Sequence, residues 1–305
     1  MKPRYKIALQ IPYKEDQKRS FSFRLHSQLT NEPTEYKSSK KIFVVSDIEG
    51  NFTPFCKLLV SAKVIDRKLN WTFGEGHLVI VGDCFDRGEE VMECLWLIYA
   101  LEEKAKFHGG YVHFILGNHE IMNLNGDWRY VHPKYAEDYF SERYPLAALY
   151  DGSNELLRWL CTKNIIEKIG PILFVHGGIS PELLQFNLSI SDINSYARQW
   201  YCRTDETYQN ILAYILFSAD HSPVWYRGYY TEELAPQLIQ ATLDHFGVTT
   251  IVTGHTLIEK VTRFYDGKLF NVDTDHANGK SEGLLIINNK RFYRVERNGK
   301  TEKLI

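Results

Sequence analysis

Five short apolar runs punctuate the chain, and each breaks off at a residue able to bind a metal. They are KIFVVSD (41–47), HLVIVGD (77–83), YVHFILGNH (111–119), PILFVHGG (171–178) and TTIVTGH (249–255), with glycine beside the terminal Asp, Asn or His in most. Runs of this length, rich in Val and Ile and without alternation, predict strands buried on both faces. Between them the pattern lengthens to a helical period. FTPFCKLLVSAKVID (52–66) is one amphipathic segment, and EEVMECLWLIYALEEKAKF (89–107) puts Val91, Leu95, Ile98 and Leu101 on one face. Strand and helix in alternation predict an α/β sheet with parallel pairs, which binds ligands beyond the carboxyl ends of its strands.

The tail follows another rhythm. KLFNVDTD (268–275), GLLIINN (283–289) and RFYRVER (291–297) crowd together around a hairpin-like NNK and predict antiparallel strands closing a second sheet. Residues 130–165 and 190–245 read as mostly helical insertions around the strand ends, carrying Tyr196, Trp200, Tyr201, Tyr208, Tyr214 and Phe217. Residues 27–40 are polar and contain proline, as a linker does. That divides the chain into an N-terminal extension (1–40) and one domain with helical insertions (41–305).

Composition narrows the class. At 305 residues, 44% apolar and 14% aromatic, the chain can bury a sizeable core. Its 36 Lys and Arg against 38 Asp and Glu give a net charge of −2, so nothing electrostatic calls for nucleic acid or an anionic membrane as partner. Cys56, Cys84, Cys94, Cys161 and Cys202 are odd in number with no CxxC pair, which reads as reduced thiols. The basic opening lacks the apolar stretch of a signal peptide, and no run approaches the roughly 18 apolar residues of a membrane helix. A soluble, cytoplasmic protein is the expectation.

Taken singly, an Asp or Asn after a strand makes a turn through its own backbone, and a lone His is most often structural. Convergence changes that weighting. Asp47, Glu49, Asp83, Asn118, His176 and His255 all fall at strand ends, on the side where α/β sheets bind ligands. Carboxylates, an amide oxygen and imidazoles without sulfur suit Mn, Fe or Zn. The set is too large for one tetrahedral ion and fits two sharing a carboxylate. Metal pairs about 3.5–4 Å apart generate hydroxide and clamp the attacking and leaving oxygens in phosphatases and nucleases.

The motifs GDCFDRG (82–88), GNHE (117–120), HGG (176–178) and GHT (254–256), in that order, resemble the calcineurin-like metallophosphoesterases, within them the phosphoprotein phosphatase branch. GNHEIMNLNGDWRYV (117–131) and SPVWYRGYY (222–230) are similar to the Shewanella-like phosphatases, and the resemblance runs from about 42 to 256. It implies a two-sheet β-sandwich flanked by helices, with the metal site at the carboxyl ends of the strands. It also implies a metal-dependent phosphomonoesterase that attacks phosphorus in line, on phosphoproteins or small phosphoesters. By the same resemblance Asp47 and residue 49 bind one divalent ion, Asp83 bridges, and Asn118, His176 and His255 bind the second. His119 is then the proton donor to the leaving group, oriented by Asp86, while Arg87 and Arg227 hold phosphoryl oxygens. The chemistry agrees, since a leaving alkoxide needs a proton and guanidinium binds phosphoryl oxygens bidentately.

One position departs. The family writes D-x-H-G where this chain has Asp47-Ile48-Glu49-Gly50. Glu49 is read as a substituted ligand, and the resulting all-carboxylate shell favours Mn²⁺ over Fe or Zn. The competing reading is a binding or sensor protein with a weakened first metal site. Among enzymes the runner-up is a dinucleoside polyphosphate hydrolase.

Other phosphate chemistries fail on spacing. No cysteine has Arg at the offset of a cysteine phosphatase. Asp273-Thr274-Asp275 approaches an aspartyl-phosphate motif, but Ala277 stands where Thr or Val belongs, which leaves a turn near the site. Gly279-Lys280-Ser281 lacks the first P-loop glycine, Thr274 standing there instead. His276 is assigned to a surface loop in preference to the pocket lining, and His77 and His113 to structural roles.

Overall fold

The computed structural model describes residues 6–12, 18–135, 154–202, 210–231 and 233–305. Its strands are β1 (Lys6–Pro12), β2 (Lys18–Arg24), β3 (Glu35–Tyr36), β4 (Lys41–Val45), β5 (His77–Val81), β6 (Tyr111–Ile115) and β7 (Ile166–Ile169). They continue with β8 (Ile172–Val175), β9 (Thr250–Thr253), β10 (Thr262–Phe264), β11 (Leu269–Asn271), β12 (Glu282–Ile287), β13 (Arg291–Glu296) and β14 (Thr301–Lys303). The helices are α1 (Phe52–Ser61), α2 (Val91–Phe107), α3 (Asn118–Leu124), α4 (Glu155–Leu160), α5 (Pro181–Gln185), α6 (Ile190–Ala197), α7 (Ile211–Phe217), α8 (Gly228–Thr231) and α9 (Ala235–Phe246).

Two six-stranded sheets form the sandwich, ordered β14-β13-β12-β4-β5-β6 and β10-β11-β9-β8-β7-β3. Successive strand side chains point to opposite faces, and here both faces are covered. Ile42, Val44, Val79, Val81, Phe174 and Val252 belong to the layer between the sheets. Their neighbours Phe43, Val45, Leu78, Ile80, Leu173 and Val175 pack under the helices. Double burial is why these strands read as continuous apolar runs. Phe270 of β11 stacks on Phe292 of β13 with ring centroids 4.5 Å apart, tying one sheet to the other.

The five expected strands are present, with β4, β5 and β6 parallel, as are β8 and β9. Helix α2 buries its four expected face residues. Helix α1 stops at Ser61 instead of Asp66, because Lys63 turns left-handed and Val64 N–H bonds back to the Leu59 carbonyl at 2.9 Å.

The tail differs from expectation. Strand β11 does join the second sheet, but parallel to β9. Strands β12, β13 and β14 extend the first sheet, β12 lying antiparallel to β4. The helical expectation holds in part for 154–165 and 190–245, while residues 136–153 and 203–209, with Tyr208, lie outside the described residues.

The polar stretch 27–40 is tied to the domain. It carries β3, which pairs in parallel with β7, and Glu32 N–H bonds to the Thr162 carbonyl at 3.0 Å. Ahead of it, the β1–β2 hairpin buries Ile11, Phe21 and Phe23, and Phe23 stacks on Trp96 of α2 at 5.2 Å. Among the described residues no helix is long and apolar enough to cross a membrane.

Candidate active site

The strand ends meet through unusual backbone. Asp47, Glu49, Asp83, Asp86, Arg87 and His255 all have φ between 47° and 70°, a region that non-glycine residues rarely enter. Such conformations persist where the surrounding fold over-determines them, and they concentrate at functional sites. Here the determinants are visible. Asp47 N–H bonds to the Gly82 carbonyl at 3.1 Å and Glu49 N–H to the Asp83 carbonyl at 2.9 Å, so the β4 and β5 turns hold each other. Glu120, fully buried, accepts from the Asp83, Cys84 and Gly117 amides at 2.9, 2.7 and 2.7 Å and locks the β5 turn to the β6 turn. Burial and the Asp83 carboxylate push its pKa up to about 7. Two glycines let the turns close. At Gly117 an added Cβ would overlap the Asp83 carboxylate, and at Gly254 the Ser46 hydroxyl.

This framework brings the sequence-selected residues together. A cavity of about 510 Å³ is lined by Asp47, Glu49, Asp83, Arg87, Asn118, His119, Arg227 and His255, together with Tyr130, Trp225 and the 273–276 turn. Two groups of ligand-type side chains come within coordinating reach, Asp83–His176–His255 and Glu49–Asp83–His119, with Asp83 common to both. Asp83 is thus the carboxylate two ions would share, while the second group contains His119 in place of the expected Asp47.

The donor set passes a direct test for a cation. The Val81 carbonyl accepts from His176 Nδ1 at 2.6 Å, which fixes that proton and turns Nε2 inward. There Nε2 meets Asn118 Oδ1 at 3.0 Å and Asp83 Oδ2 at 3.2 Å. Three electron-rich atoms converge, and only a proton or a cation reconciles them. Burial lowers the proton affinity of His176, yet Asp83 and Asp47 outweigh it and carry its pKa up to about 10. His255 Nε2 is buried with no hydrogen-bond partner. Asp47 uses Oδ2 for the Ser46 hydroxyl and the His255 amide, which leaves Oδ1 for an ion.

Next to this cluster His119 and Asp86 pair at 2.6 Å through Nδ1 and Oδ2, both buried. Asn123 Nδ2 donates to the other Asp86 oxygen at 2.9 Å and so fixes the carboxylate plane. Burial opposes charge on His119, but Asp83 and Asp86 prevail and raise its pKa above the ordinary value. Arg87 forms an ion pair with Glu49 and places Nη2 3.3 Å from His119 Nε2. Arg227, brought in by the segment before α8, donates to the His255 carbonyl at 3.2 Å.

The metallophosphoesterase pattern described as calcineurin-like phosphoesterase matches residues 40–259. The chain belongs to the calcineurin-like phosphoesterase family. Shewanella-like protein phosphatase 1 of Plasmodium berghei is 30% identical over 82% of this chain and 71% of its own length. Shewanella-like protein phosphatase 2 of Arabidopsis thaliana is 25% identical over 82% of this chain and 75% of its own. Among solved structures, a cold-active protein-tyrosine phosphatase of a psychrophilic Shewanella species superposes with TM-score 0.89 at 38% identity, over 97% of this chain and 90% of that one. With these relatives and this fold, the chain is a metal-dependent phosphatase of the Shewanella-like group, a hydrolase of phosphate esters. The family depends on two metal ions, and the carboxylate, amide and imidazole set fits that demand.

Some residues were not found by sequence pattern. Glu120 stands inside a quoted motif, but its role lies in backbone amides that no spacing reveals. The 273–275 turn does lie at the site as expected, but the burial of Asp273 near Asp47 and Asp83, which raises its pKa strongly, was not read from the sequence. His276 corrects an expectation. It is 2% exposed and lines the cavity instead of a surface loop. His77 and His113 do form a structural chain, His113 donating to Glu167 at 2.7 Å and facing His77 at 2.9 Å.

Proposed function

We propose that this phosphatase acts on phosphoproteins, with phosphotyrosine its preferred ester. The observation that carries the substrate choice is an aromatic mouth. Tyr130 is 44% exposed with its ring 5.2 Å from that of His119, and Trp225 packs edge-on against His255 at 5.5 Å, both rings lining the cavity. An aryl leaving group stacks on such rings where a serine side chain has little surface to offer. The cold-active structural relative is named a protein-tyrosine phosphatase.

In this reading Asp47, Glu49 and Asp83 would hold the first ion, and Asp83, Asn118, His176 and His255 the second. Bound there, the ions supply a nucleophile at neutral pH and neutralise charge developing on the phosphoryl oxygens. The chain's own residues do the rest. Arg87 and Arg227 clamp the phosphoryl group and His119 delivers a proton from Nε2 to the departing oxygen. Asp86 holds the ring by Nδ1, and Glu120 keeps the β5 and β6 turns in register. An oxygen-rich first shell supports Mn²⁺ there.

The test compares kcat/KM on a phosphotyrosine peptide, its phosphoserine counterpart and diadenosine tetraphosphate, each with Mn²⁺. Phosphotyrosine should lead by tenfold or more, and Tyr130→Ala should erase most of that lead, about 1.4 kcal/mol. Equal rates on the two peptides, or an unchanged preference in the variant, refutes the substrate assignment.

A further inference from the structure

Glu49 pairs with the Arg87 guanidinium and borders the cluster of metal-competent side chains. Its backbone is pinned by the 2.9 Å bond to the Asp83 carbonyl, so the carboxylate cannot move far from the metal cluster. One of its oxygens is within reach of ligand atoms on Asp83 and His119. The same carboxylate pairs with Arg87, the residue proposed above to clamp the phosphoryl group. In that pairing Arg87 also directs Nη2 toward His119 Nε2, the nitrogen the acid needs free, and stands 5.8 Å from the Tyr130 ring. An imidazole at position 49 makes no such ion pair with a guanidinium.

We infer that Glu49 links occupancy of the first ion position to the availability of Arg87. An ion there draws the carboxylate inward and loosens the ion pair. The guanidinium then turns its N–H groups to phosphate and uncovers His119. Linkage is reciprocal, so phosphate engaging Arg87 tightens the ion by the same factor, and Arg87 opposes the ion when phosphate is absent. This inference rests on Glu49 being a ligand of the first ion.

The experiment is a double-mutant cycle read by calorimetry with Mn²⁺ alone, without turnover. Glu49→Gln should weaken the first Mn²⁺ at least tenfold. Arg87→Ala should tighten it about fivefold or more in the Glu49 chain, the low end of coupling between sites. In the Glu49→Gln background Arg87→Ala should change it by less than about twofold, because only the general charge effect is left. Inorganic phosphate should tighten Mn²⁺ more in the native chain than in Glu49→Gln, where only the direct attraction between the anion and the ions is left. Arg87→Met, which fills more of the same volume, guards against a folding defect in Arg87→Ala. Equal tightening by Arg87→Ala in both backgrounds overturns the linkage while leaving Glu49 a ligand. If Glu49→Gln leaves the first ion unaffected, the ligand assignment itself fails and the linkage falls with it.

A second, independent feature is the cysteine pair Cys161 and Cys202, whose sulfurs lie 3.9 Å apart. Two bonds hold the segments together without them. The Tyr201 hydroxyl donates to the Lys163 carbonyl at 3.0 Å, and Arg198 reaches Asn164 Oδ1. Cys202 is exposed and Cys161 half-buried, so an oxidant has access to the pair. We propose that a peroxide closes a disulfide here. One thiolate takes the terminal oxygen as sulfenic acid, the peroxide leaving as an alcohol or water. The second thiol then displaces water and the S–S bond forms. After hydrogen peroxide, thiol titration of the unfolded chain should fall from five to three, and peptide mapping should join 161 to 202. Cys202→Ser should keep its four remaining thiols. Five thiols surviving in the native chain, or a bond between two chains, overturns it.

Discussion

Asp86→Asn separates the charge of the His119 partner from its geometry. Asp86 accepts from His119 Nδ1 at 2.6 Å and from Asn123 Nδ2 at 2.9 Å, all three side chains being buried. A carboxylate and an imidazolium about 4 Å apart between charge centres attract by about 4 kcal/mol at an effective dielectric near 20. That corresponds to about three pKa units. Burial of the imidazolium offsets part of this, so the neutral amide should lower the His119 pKa. The sign follows from the acid's role. A raised pKa keeps His119 protonated to higher pH, and activity on a poor leaving group is lost as pH rises through it. Asp86→Asn should therefore move the alkaline limb of kcat to lower pH for an alkyl phosphate.

The amide also satisfies only one of two donors, which misorients the ring and lowers the plateau. Orientation alone lowers the plateau without moving the limb, and so the pH profile tells the two effects apart. With p-nitrophenyl phosphate, whose leaving group departs without a proton, both effects should nearly vanish. His119→Asn should cut kcat on the alkyl ester by about 10²–10⁴ and keep both ions. Identical losses on the two esters, or loss of an ion from either variant, would show that this pair does not protonate the leaving oxygen.

Other outcomes follow from the same geometry. Elemental analysis of the active protein should find two divalent ions per chain, and one ion in a fully active preparation contradicts the shared Asp83. Glu49→His removes a negative charge beside the ions and should shift the acidic limb of kcat/KM to lower pH with turnover preserved; an otherwise dead native chain revived by it would make Glu49 an impairment. Arg227→Ala should lower kcat/KM at least tenfold, about 1.4 kcal/mol, with wild-type kinetics returning Arg227 to a packing role. Burial, with His113 beside it, lowers the His77 pKa from 6.5 to about 3, so the unfolded chain takes up this proton first as pH falls. Stability should drop between those values, and His77→Gln should flatten the acid limb of thermal stability by about 1–3 kcal/mol.

The sequence disclosed the ligand-bearing strand ends because burial on both faces leaves unbroken apolar runs, and a polar residue ending such a run stands out. It did not disclose which sheet each tail strand would join. Leu284 pairs with Val44 and Leu269 with Ile251, and nothing local distinguishes one apolar edge from another. The stretch 27–40 looked like a linker because its contacts come from far along the chain. Glu32 pairs with Lys163, and Tyr36 packs on His113 at 4.5 Å. Glu120 and Asp273 escaped for a related reason. Each acts through what surrounds it in space, the first through turn amides and the second through neighbouring carboxylates.

Charge balance in the cavity explains why metal and phosphate belong together here, and it assigns Asp273 a testable part. Five acidic side chains, Asp47, Glu49, Asp83, Asp273 and Asp275, line one cavity with the two guanidiniums of Arg87 and Arg227. A phosphate dianion is repelled by that balance. Two dications reverse it, and their binding is favoured by the repulsion they relieve. The strain is visible in Asp47, where burial and then Asp83 push the pKa up to about 6 against the pull of His176. Asp273, whose pKa is raised by burial and by Asp47, adds to it. Asp273→Asn should stabilise the protein in EDTA by about 1 kcal/mol or more, about 2 °C in Tm for a domain of this size. The same variant should gain less stability from added Mn²⁺ than the native chain, because less repulsion remains to be relieved. A carboxylate that served only as a structural acceptor would give the opposite sign, a lower Tm in EDTA with the Mn²⁺ increment unchanged.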